Sequence, residues 1–283
     1  MSAGHTAQYP GGSPDGTAGE DIGRLDRSRL GYREETTITP EELWFSAADG
    51  VTLRGVLVGG PVRDVLVVLV PGFTGHADTP AVRRTAARLA RRTPVLVLEL
   101  RGHGRSGGRS TVGDAEVLDL DAAVAWARRR GVRRLATVGF SLGGSVVIRQ
   151  AALGGGVDAV ASVSAPSRWY IRDTPAMRRL HPMVETRPGR LVARAGFRVR
   201  LATGWTDVPP SPIEVVGAIA PTPLLLVHGD ADTYFPVEHA HMLAAAAGPA
   251  ATLRIVPGFG HAENALTPAL VDELDDWLAG ALS

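Results

Sequence analysis

The segment TVGFSLGGS (residues 137–145) joins a short apolar run to a sequence of helical character, with Ser141 at the junction. A serine in a Gly-x-Ser-x-Gly pattern between a buried strand and a helix is held on a sharp turn with its hydroxyl exposed. Gly139 and Gly143 suit such a turn because it leaves no room for Cβ atoms. The segment therefore predicts that Ser141 is a nucleophile. The backbone N–H of Leu142, at the helix start, is predicted to point toward an oxyanion.

A second match to the same pattern is GRSGG (residues 104–108), which contains Ser106. It also follows an apolar run, but no periodic segment comes directly after the serine. The surrounding sequence, RGHGRSGGRSTVG, is therefore predicted to be a loop, and the nucleophile is assigned to Ser141 rather than Ser106.

Outward from this segment, short apolar runs alternate with amphipathic stretches along the chain. The runs LWFSA and VTLRGVLV flank Asp49-Gly50, a turn signal typical of a hairpin. Six Val/Leu-rich runs suit parallel strands that are covered on both faces; they are residues 64–70, 94–100, 134–140, 157–164, 223–229 and 251–256. Helix starts are indicated at Thr79-Pro80, after Asp114 and at Thr267-Pro268. The pattern predicts an α/β fold with a mostly parallel central sheet flanked by helices.

Three regions are distinguished by composition. Residues 1–35 are rich in Gly, Ser, Pro and Asp and are predicted to be a disordered tail. Residues 36–165 and 211–283 are predicted to form the α/β core, and residues 166–210 a small insertion of two or three short helices, called here the cap. The cap holds nine arginines and three acidic residues, a net charge of about +6. Its aromatic residues are predicted to form either the wall of an acyl pocket or the cap's own core; they are Trp169, Tyr170, Phe197 and Trp205.

The composition excludes several kinds of chemistry. The chain has no cysteine, hence no disulfide, thiol nucleophile or cysteine-bound metal. It has no lysine, which excludes a lysine Schiff base. No window reaches 18 apolar residues and the first residues lack a secretory pattern, so a cytoplasmic protein without a membrane span is expected. Nucleic acid is not expected as a partner, because no basic stripe with interleaved aromatic residues occurs. The oligomeric state cannot be read from the sequence.

The order of the motifs resembles the α/β-hydrolase superfamily over about residues 41–283. The segments that carry the resemblance are VPGFTGH (70–76), ELRGHGRS (99–106), VGFSLGG (138–144), LLLVHGDADTYFP (224–236) and GFGHAEN (258–264). The resemblance implies that the backbone N–H of Phe73 completes an oxyanion hole with Leu142. It also implies that Ser106 is a loop residue and that His103 has a structural role. Two departures are Pro71-Gly72, where many members have His-Gly, and Glu99 in place of Asp.

A serine nucleophile needs a base, and the base needs an orienting carboxylate. Of eight histidines, His261 follows a strand and a Gly-Phe-Gly turn, at the strand end where sites of open α/β sheets collect. It also gives the chain order Ser, acid, His, so His261 is predicted to be the base. The other candidates are assigned elsewhere: His76 to packing or to the pocket wall, His228 to a structural hydrogen bond, and His239 and His241 to a surface helix.

Asp230 and Asp232 both follow the run PLLLVHG and compete for the role of the acid. The His-Gly-x-x-Asp pattern of the family falls on Asp232, so the resemblance favours Asp232. Glu263, two residues after His261, is interpreted as a carboxylate at the surface or behind the site rather than as the acid.

The expected function is hydrolysis of a carboxylic ester of a small molecule by a Ser-His-Asp mechanism, without a metal or an organic cofactor. Two alternatives stay open. The same three residues serve thioester, amide or peptide, carbon–carbon and perhydrolysis chemistry, and a member of the fold can be a non-catalytic ligand receptor. A sharper hypothesis for the cap is that some of its arginines recognise an anionic substrate.

Overall fold

The computed structural model describes residues 39–283, and the predicted tail lies outside these residues. The described residues contain an eight-stranded sheet in the order β1-β2-β4-β3-β5-β6-β7-β8. The strands are β1 (Glu41–Ser46), β2 (Thr52–Val58), β3 (Val65–Val70), β4 (Val95–Leu98), β5 (Arg134–Phe140), β6 (Ala159–Val163), β7 (Leu224–Gly229) and β8 (Ala251–Val256). Each predicted apolar run corresponds to one of these strands.

The sheet is antiparallel at one edge and parallel elsewhere. β1 pairs with β2, and β2 with β4, in antiparallel register, and Gly50 adopts φ 83° in the turn that joins β1 to β2. From β4 through β3, β5, β6 and β7 to β8 all pairs are parallel. The carboxyl ends of these parallel strands therefore lie at the same edge of the sheet, which is where side chains from distant parts of the chain can meet.

Helices cover both faces of the sheet. In residues 39–283 they are α1 (Pro80–Leu89), α2 (Glu116–Arg129), α3 (Leu142–Leu153), α4 (Pro175–Glu185), α5 (Arg187–Phe197), α6 (Pro212–Val215), α7 (Glu238–Ala247), α8 (Ala262–Ala265) and α9 (Pro268–Ala281). Apolar residues of α2, α3 and α7 pack on one face. Those of α1 and α9 pack on the other, where Leu270, Val271, Leu274 and Leu278 form the predicted stripe of the last helix. The central strands are buried on both sides, which explains their unbroken Val/Leu sequences.

The cap consists of α4 and α5 with their flanking loops. Its two helices are N-capped by Thr174 and Thr186, whose hydroxyls accept hydrogen bonds from the N–H groups of Met177 and Gly189. At its end the chain returns to the core: the N–H of Arg200 donates to the carbonyl of Gly102 (2.8 Å), and its carbonyl accepts from the N–H of Ser110 (2.7 Å). The cap is thus tied to the loop that follows β4.

Candidate active site

Ser141 lies directly after β5 on the turn that opens α3, and its backbone adopts φ 50° and ψ −113°. This left-handed conformation is strained for a residue with a side chain, and such strain is found where a functional group must be presented. The N–H of Ser141 donates to the carbonyl of Val163 (2.8 Å). The serine is nearly buried, and the small exposed part faces a cleft beneath the cap.

The two glycines of the pattern make this turn possible. A Cβ atom on Gly139 would lie 2.2 Å from the carbonyl oxygen of Gly143, and one on Gly143 would lie 2.2 Å from the carbonyl oxygen of Val70. Both neighbours are backbone atoms, one in the first turn of α3 and the other at the end of β3, so neither can move aside. The predicted need for glycine at these positions is a requirement of space.

We expect Gly143→Ala to lower the free energy of unfolding by about 3 kcal/mol, as overpacking against fixed backbone does. Thermal and urea unfolding would measure the change. Gly196→Ala is the matched control, because a Cβ there meets nothing within 4 Å. In a helix that control is expected to be neutral or to stabilise by up to about 1 kcal/mol. Equal effects of the two substitutions would contradict the steric explanation.

The structure brings the three predicted side chains of the triad together. Nε2 of His261 lies 2.9 Å from Oγ of Ser141, and Nδ1 of His261 lies 2.7 Å from Oδ2 of Asp232. Asp232 follows β7 and His261 follows β8, so the common edge of the parallel strands accounts for their meeting. A neutral imidazole with its proton on Nδ1 satisfies both contacts: it donates to Asp232 and accepts from the serine hydroxyl.

The surroundings of Asp232 favour its charged form. Burial opposes ionisation, but hydrogen bonds from His261 and from the N–H groups of Tyr234 and Phe235 outweigh it. Together they hold the pKa of Asp232 below its usual range. Asp230, the competing acid of the sequence, is exposed and accepts the N–H of Gly258 (2.7 Å) instead of contacting the imidazole. The geometry thus distinguishes the two aspartates, which residue type alone does not: Asp232 contacts the imidazole and Asp230 does not.

The residues predicted to donate to the oxyanion are found at the same cleft as the serine. Phe73 and Leu142 line the same cleft as Ser141. Within residues 39–283 the backbone N–H groups of Phe73 and Leu142 donate no hydrogen bond to the protein. Nearly all backbone donors away from water are paired, so these two unpaired donors, from residues that line one cleft, are available to a ligand oxygen.

Other predicted polar residues make structural contacts, although Nε2 of His228 also lies 3.6 Å from Oδ2 of Asp232. Ser106 is fully buried; its hydroxyl donates to the carbonyl of Glu99 (2.6 Å) and accepts the N–H of Arg54 (2.8 Å). His228 is also buried, and its Nε2 lies 2.9 Å from the carbonyl of Phe235, as a structural role requires. Nδ1 of His103 lies 3.0 Å from the carbonyl of Arg101.

The interpretation of His239 as a surface residue was wrong. It is buried, its Nδ1 lies 2.8 Å from Oγ of Ser167, and burial lowers its pKa to about 4. The sequence of α7 contained the signal, because His239 shares one helical face with the buried residues Leu243 and Ala247. His241, on the other side of the helix, is exposed as predicted.

The cleft beside Ser141 has a volume of about 420 Å³ and a mainly apolar wall. Trp169, Tyr170 and Trp205 of the cap line it, and the ring of Trp205 lies 5.5 Å from each of the other two rings. The indole N–H groups of Trp169 and Trp205 donate to backbone carbonyls, so the rings offer the cleft apolar surface. Phe197, the fourth predicted aromatic residue, is exposed and does not belong to the lining.

Charged groups contribute little to this wall. Of the nine arginines of the cap, all within the described residues, only Arg168 lines the cleft, and it lies 3.5 Å from Asp173. Glu185 also lines it and is paired with Arg172. The cleft therefore fits an apolar group better than the anionic substrate considered from the sequence.

A search for membrane-spanning segments in residues 39–283 finds no helix that is both long and apolar enough to cross a bilayer.

Solved structures similar to this chain include GrgF, an alpha/beta hydrolase from Penicillium sp. sh18, with 21% identity, a TM-score of 0.70 and coverage of 87% of this chain and 99% of that one. Another is the Pyrococcus furiosus esterase Pf2001, with 21% identity, a TM-score of 0.68 and coverage of 94% and 100%. These likenesses concern the fold.

Sequence comparison gives the family. The uncharacterized protein YfhR of Escherichia coli O157:H7 is 25% identical over 230 residues, which are 78% of this chain and 73% of that protein. The profile of the family described as the alpha/beta hydrolase fold matches residues 65–207, which include β3, the nucleophile turn and most of the cap. This chain therefore belongs to the α/β-hydrolase fold family.

Proposed function

We propose that this protein is a serine hydrolase that cleaves carboxylic esters through an acyl-enzyme intermediate. The observation that carries the proposal is the continuous hydrogen-bonded series from Asp232 through His261 to Ser141, which lines an apolar cleft. A serine hydroxyl is a weak nucleophile until a base accepts its proton, and this arrangement supplies the base and its orienting carboxylate.

In the proposed reaction Ser141 attacks the acyl carbonyl while Nε2 of His261 accepts the hydroxyl proton. Asp232 stabilises the imidazolium, and the N–H groups of Phe73 and Leu142 donate to the tetrahedral oxyanion. Each such donor is worth about 3 kcal/mol in related chemistry. His261 then returns the proton to the leaving alcohol, and a water activated by the same imidazole hydrolyses the acyl-enzyme.

The first test combines substrate turnover with covalent labelling. Purified protein is assayed with p-nitrophenyl esters and treated with a fluorophosphonate probe, which reacts with activated serines. We expect turnover and labelling in the wild type, and neither in His261→Ala, which keeps the serine but removes its base. The absence of both from a folded wild-type protein would contradict the proposal and favour the non-catalytic receptor. Faster turnover of thioesters or amides would move the assignment to those bonds.

We also expect the acyl preference to follow the wall of the cleft. Each methylene that enters it contributes about 0.8 kcal/mol, or about four-fold in kcat/KM, until the cleft is filled. Trp205→Ala is expected to lower kcat/KM about ten-fold for longer acyl chains and to leave acetate esters nearly unchanged. Trp44→Ala is the matched control, because Trp44 lies on β1 and does not line the cleft. A uniform loss over all chain lengths in Trp205→Ala would contradict the assignment of this wall to the acyl group.

A further inference from the structure

Glu263 is a buried carboxyl group that the proposed reaction does not use. It lies on α8, two residues after His261, and is 5% exposed. Its Oε1 accepts the backbone N–H of Gly72 (3.1 Å), from a segment 191 residues away in the chain. Among residues 39–283 no arginine or histidine forms an ion pair with it, and burial raises its pKa. Burying a carboxyl group costs free energy unless hydrogen bonds compensate for the lost water, so the contact with Gly72 matters for keeping Glu263 in this place.

The turn that carries the oxyanion donor is folded around this carboxyl group. The N–H of Gly75 donates to the carbonyl of Gly72 (2.9 Å), which closes a turn containing Phe73. A Cβ on Gly75 would lie 2.9 Å from Oε1 of Glu263, and one on Gly72 would lie 3.3 Å from Oε2. That same Cβ position on Gly72 is also 3.3 Å from Cβ of Ser141. The carboxyl group thus fills the space behind the turn, on the side where the turn approaches the nucleophile.

We propose that Glu263 is a positioning residue that fixes the Gly72 peptide and thereby holds the N–H of Phe73 in place as an oxyanion donor. Glu263 connects the segment that contains His261 to the turn that contains Phe73, so the positions of both segments around Ser141 are fixed relative to each other. The inference rests on the proposed function, because a donor has a catalytic purpose only if an oxyanion forms.

Two alternative roles are disfavoured by the contacts. Glu263 is not a substitute for the acid of the triad, because Nδ1 of His261 already lies 2.7 Å from Asp232. A role as an anion opposite His261 would place a negative charge near the developing oxyanion. Burial instead favours the neutral form of Glu263, which does not oppose that charge. What the turn requires from Glu263 is an oxygen that accepts a hydrogen bond.

The kinetic test compares Glu263→Gln with Glu263→Met. Glutamine keeps an acceptor oxygen at the same reach, whereas methionine has similar length and no such oxygen. With a p-nitrophenyl ester we expect kcat to fall about 30-fold in the Met variant with KM within about two-fold, because a displaced donor weakens transition-state binding alone. The Gln variant should stay within about three-fold of wild type. The affinity for an alkylboronic acid, which mimics the tetrahedral intermediate, should fall together with kcat.

Ser164→Ala provides the matched control for these variants. The Ser164 hydroxyl accepts the N–H of Ala262 (3.1 Å), so it anchors the segment of His261 without contacting the oxyanion turn. We expect kcat to fall much less in this variant than in Glu263→Met. An equal loss of kcat in Ser164→Ala and Glu263→Met would overturn the proposal, because the effect would then come from the His261 segment. Loss of kcat in the Gln variant as large as in the Met variant would also overturn it.

A second variant covers the case in which the Met variant does not fold. Glu263→Asp keeps the acid but shortens its reach to Gly72 by one methylene, and unchanged kcat in this variant would overturn the proposal. Hydrogen–deuterium exchange of residues 71–75 gives a readout that does not depend on activity. Exchange there should be faster in the Asp and Met variants than in the Gln variant. If the wild type proves inactive on all esters, the proposed function fails, whereas unchanged exchange in every variant refutes the positioning role itself.

The raised pKa of Glu263 gives a further expected result. A carboxyl group whose pKa is higher in the folded state stabilises the fold below its unfolded-state pKa, and that contribution is lost as the pH rises through the folded-state pKa. Gln cannot ionise, so the melting temperature of Glu263→Gln should gain on that of wild type as the pH rises. A difference that is constant from pH 4 to pH 9 would overturn the buried, acceptor-only role of the group.

Discussion

Ser141→Ala is expected to lower kcat for a p-nitrophenyl ester by about 10⁴- to 10⁶-fold, as removal of a nucleophile from a Ser-His-Asp group does. The substitution removes only Oγ, which lies 2.9 Å from Nε2 of His261, and adds no atom to the strained turn. Binding should change little, because the cleft is lined mainly by other side chains. The measurement is kcat and KM for wild type and variant, with the melting temperature as a check of the fold.

The second Gly-x-Ser-x-Gly serine supplies a matched control for that experiment. Ser106 is fully buried, and its hydroxyl accepts the N–H of Arg54 (2.8 Å). Ser106→Ala leaves that buried donor unpaired, so it is expected to lower the free energy of unfolding by about 1–3 kcal/mol. Its kcat should remain within a few-fold of wild type. Activity that survives in Ser141→Ala, or disappears in a folded Ser106→Ala protein, would refute the choice of nucleophile.

The strands and most helices could be predicted because their burial is regular. β3, β5 and β7 are covered on both faces, so their sequences are continuous apolar runs that stand out from the polar loops. The final helix could be predicted from its spaced leucines and its Thr267-Pro268 start. The order of the strands across the sheet cannot be predicted from any single apolar run, because it depends on pairings between distant segments.

The candidate site residues could be predicted where a local turn determines their position. They were harder to predict where contacts between distant segments determine it. The turn at Ser141 is specified by its own glycines. Asp230 and Asp232 both follow β7, and the conformation of the loop decides which of them reaches His261. From the sequence, only the resemblance to a family favours Asp232. The contact of Glu263 with Gly72 spans 191 residues and left no local signal. The burial of His239 follows from its position four residues before Leu243 and eight before Ala247 on one face of α7.

Asp232→Asn is expected to lower kcat by about 10⁴-fold, the size found when such an acid is replaced by its amide. Asparagine can still accept the N–H groups of Tyr234 and Phe235 through its oxygen, which directs its NH₂ group toward His261. Nδ1 of the imidazole must then accept a hydrogen bond, so the ring proton moves to Nε2. That nitrogen can no longer accept the proton of Ser141. The loss should therefore appear in kcat, with KM changed little.

Asp230→Asn distinguishes this effect from a general change in the loop after β7. Asp230 is exposed and its Oδ1 accepts the N–H of Gly258, so its amide should keep kcat within about two-fold. The pH dependence of stability tests the environment of Asp232 independently of turnover. Asp232 has a lowered pKa, so it stabilises the fold above its unfolded-state pKa, and this contribution is lost as the pH falls through the folded-state pKa. The gap in melting temperature between wild type and Asp232→Asn should therefore narrow with acidification. Normal turnover in Asp232→Asn together with a large loss in Asp230→Asn would reverse the assignment of the acid, because the hydrogen bond seen at Nδ1 would then not be the one that orients the base.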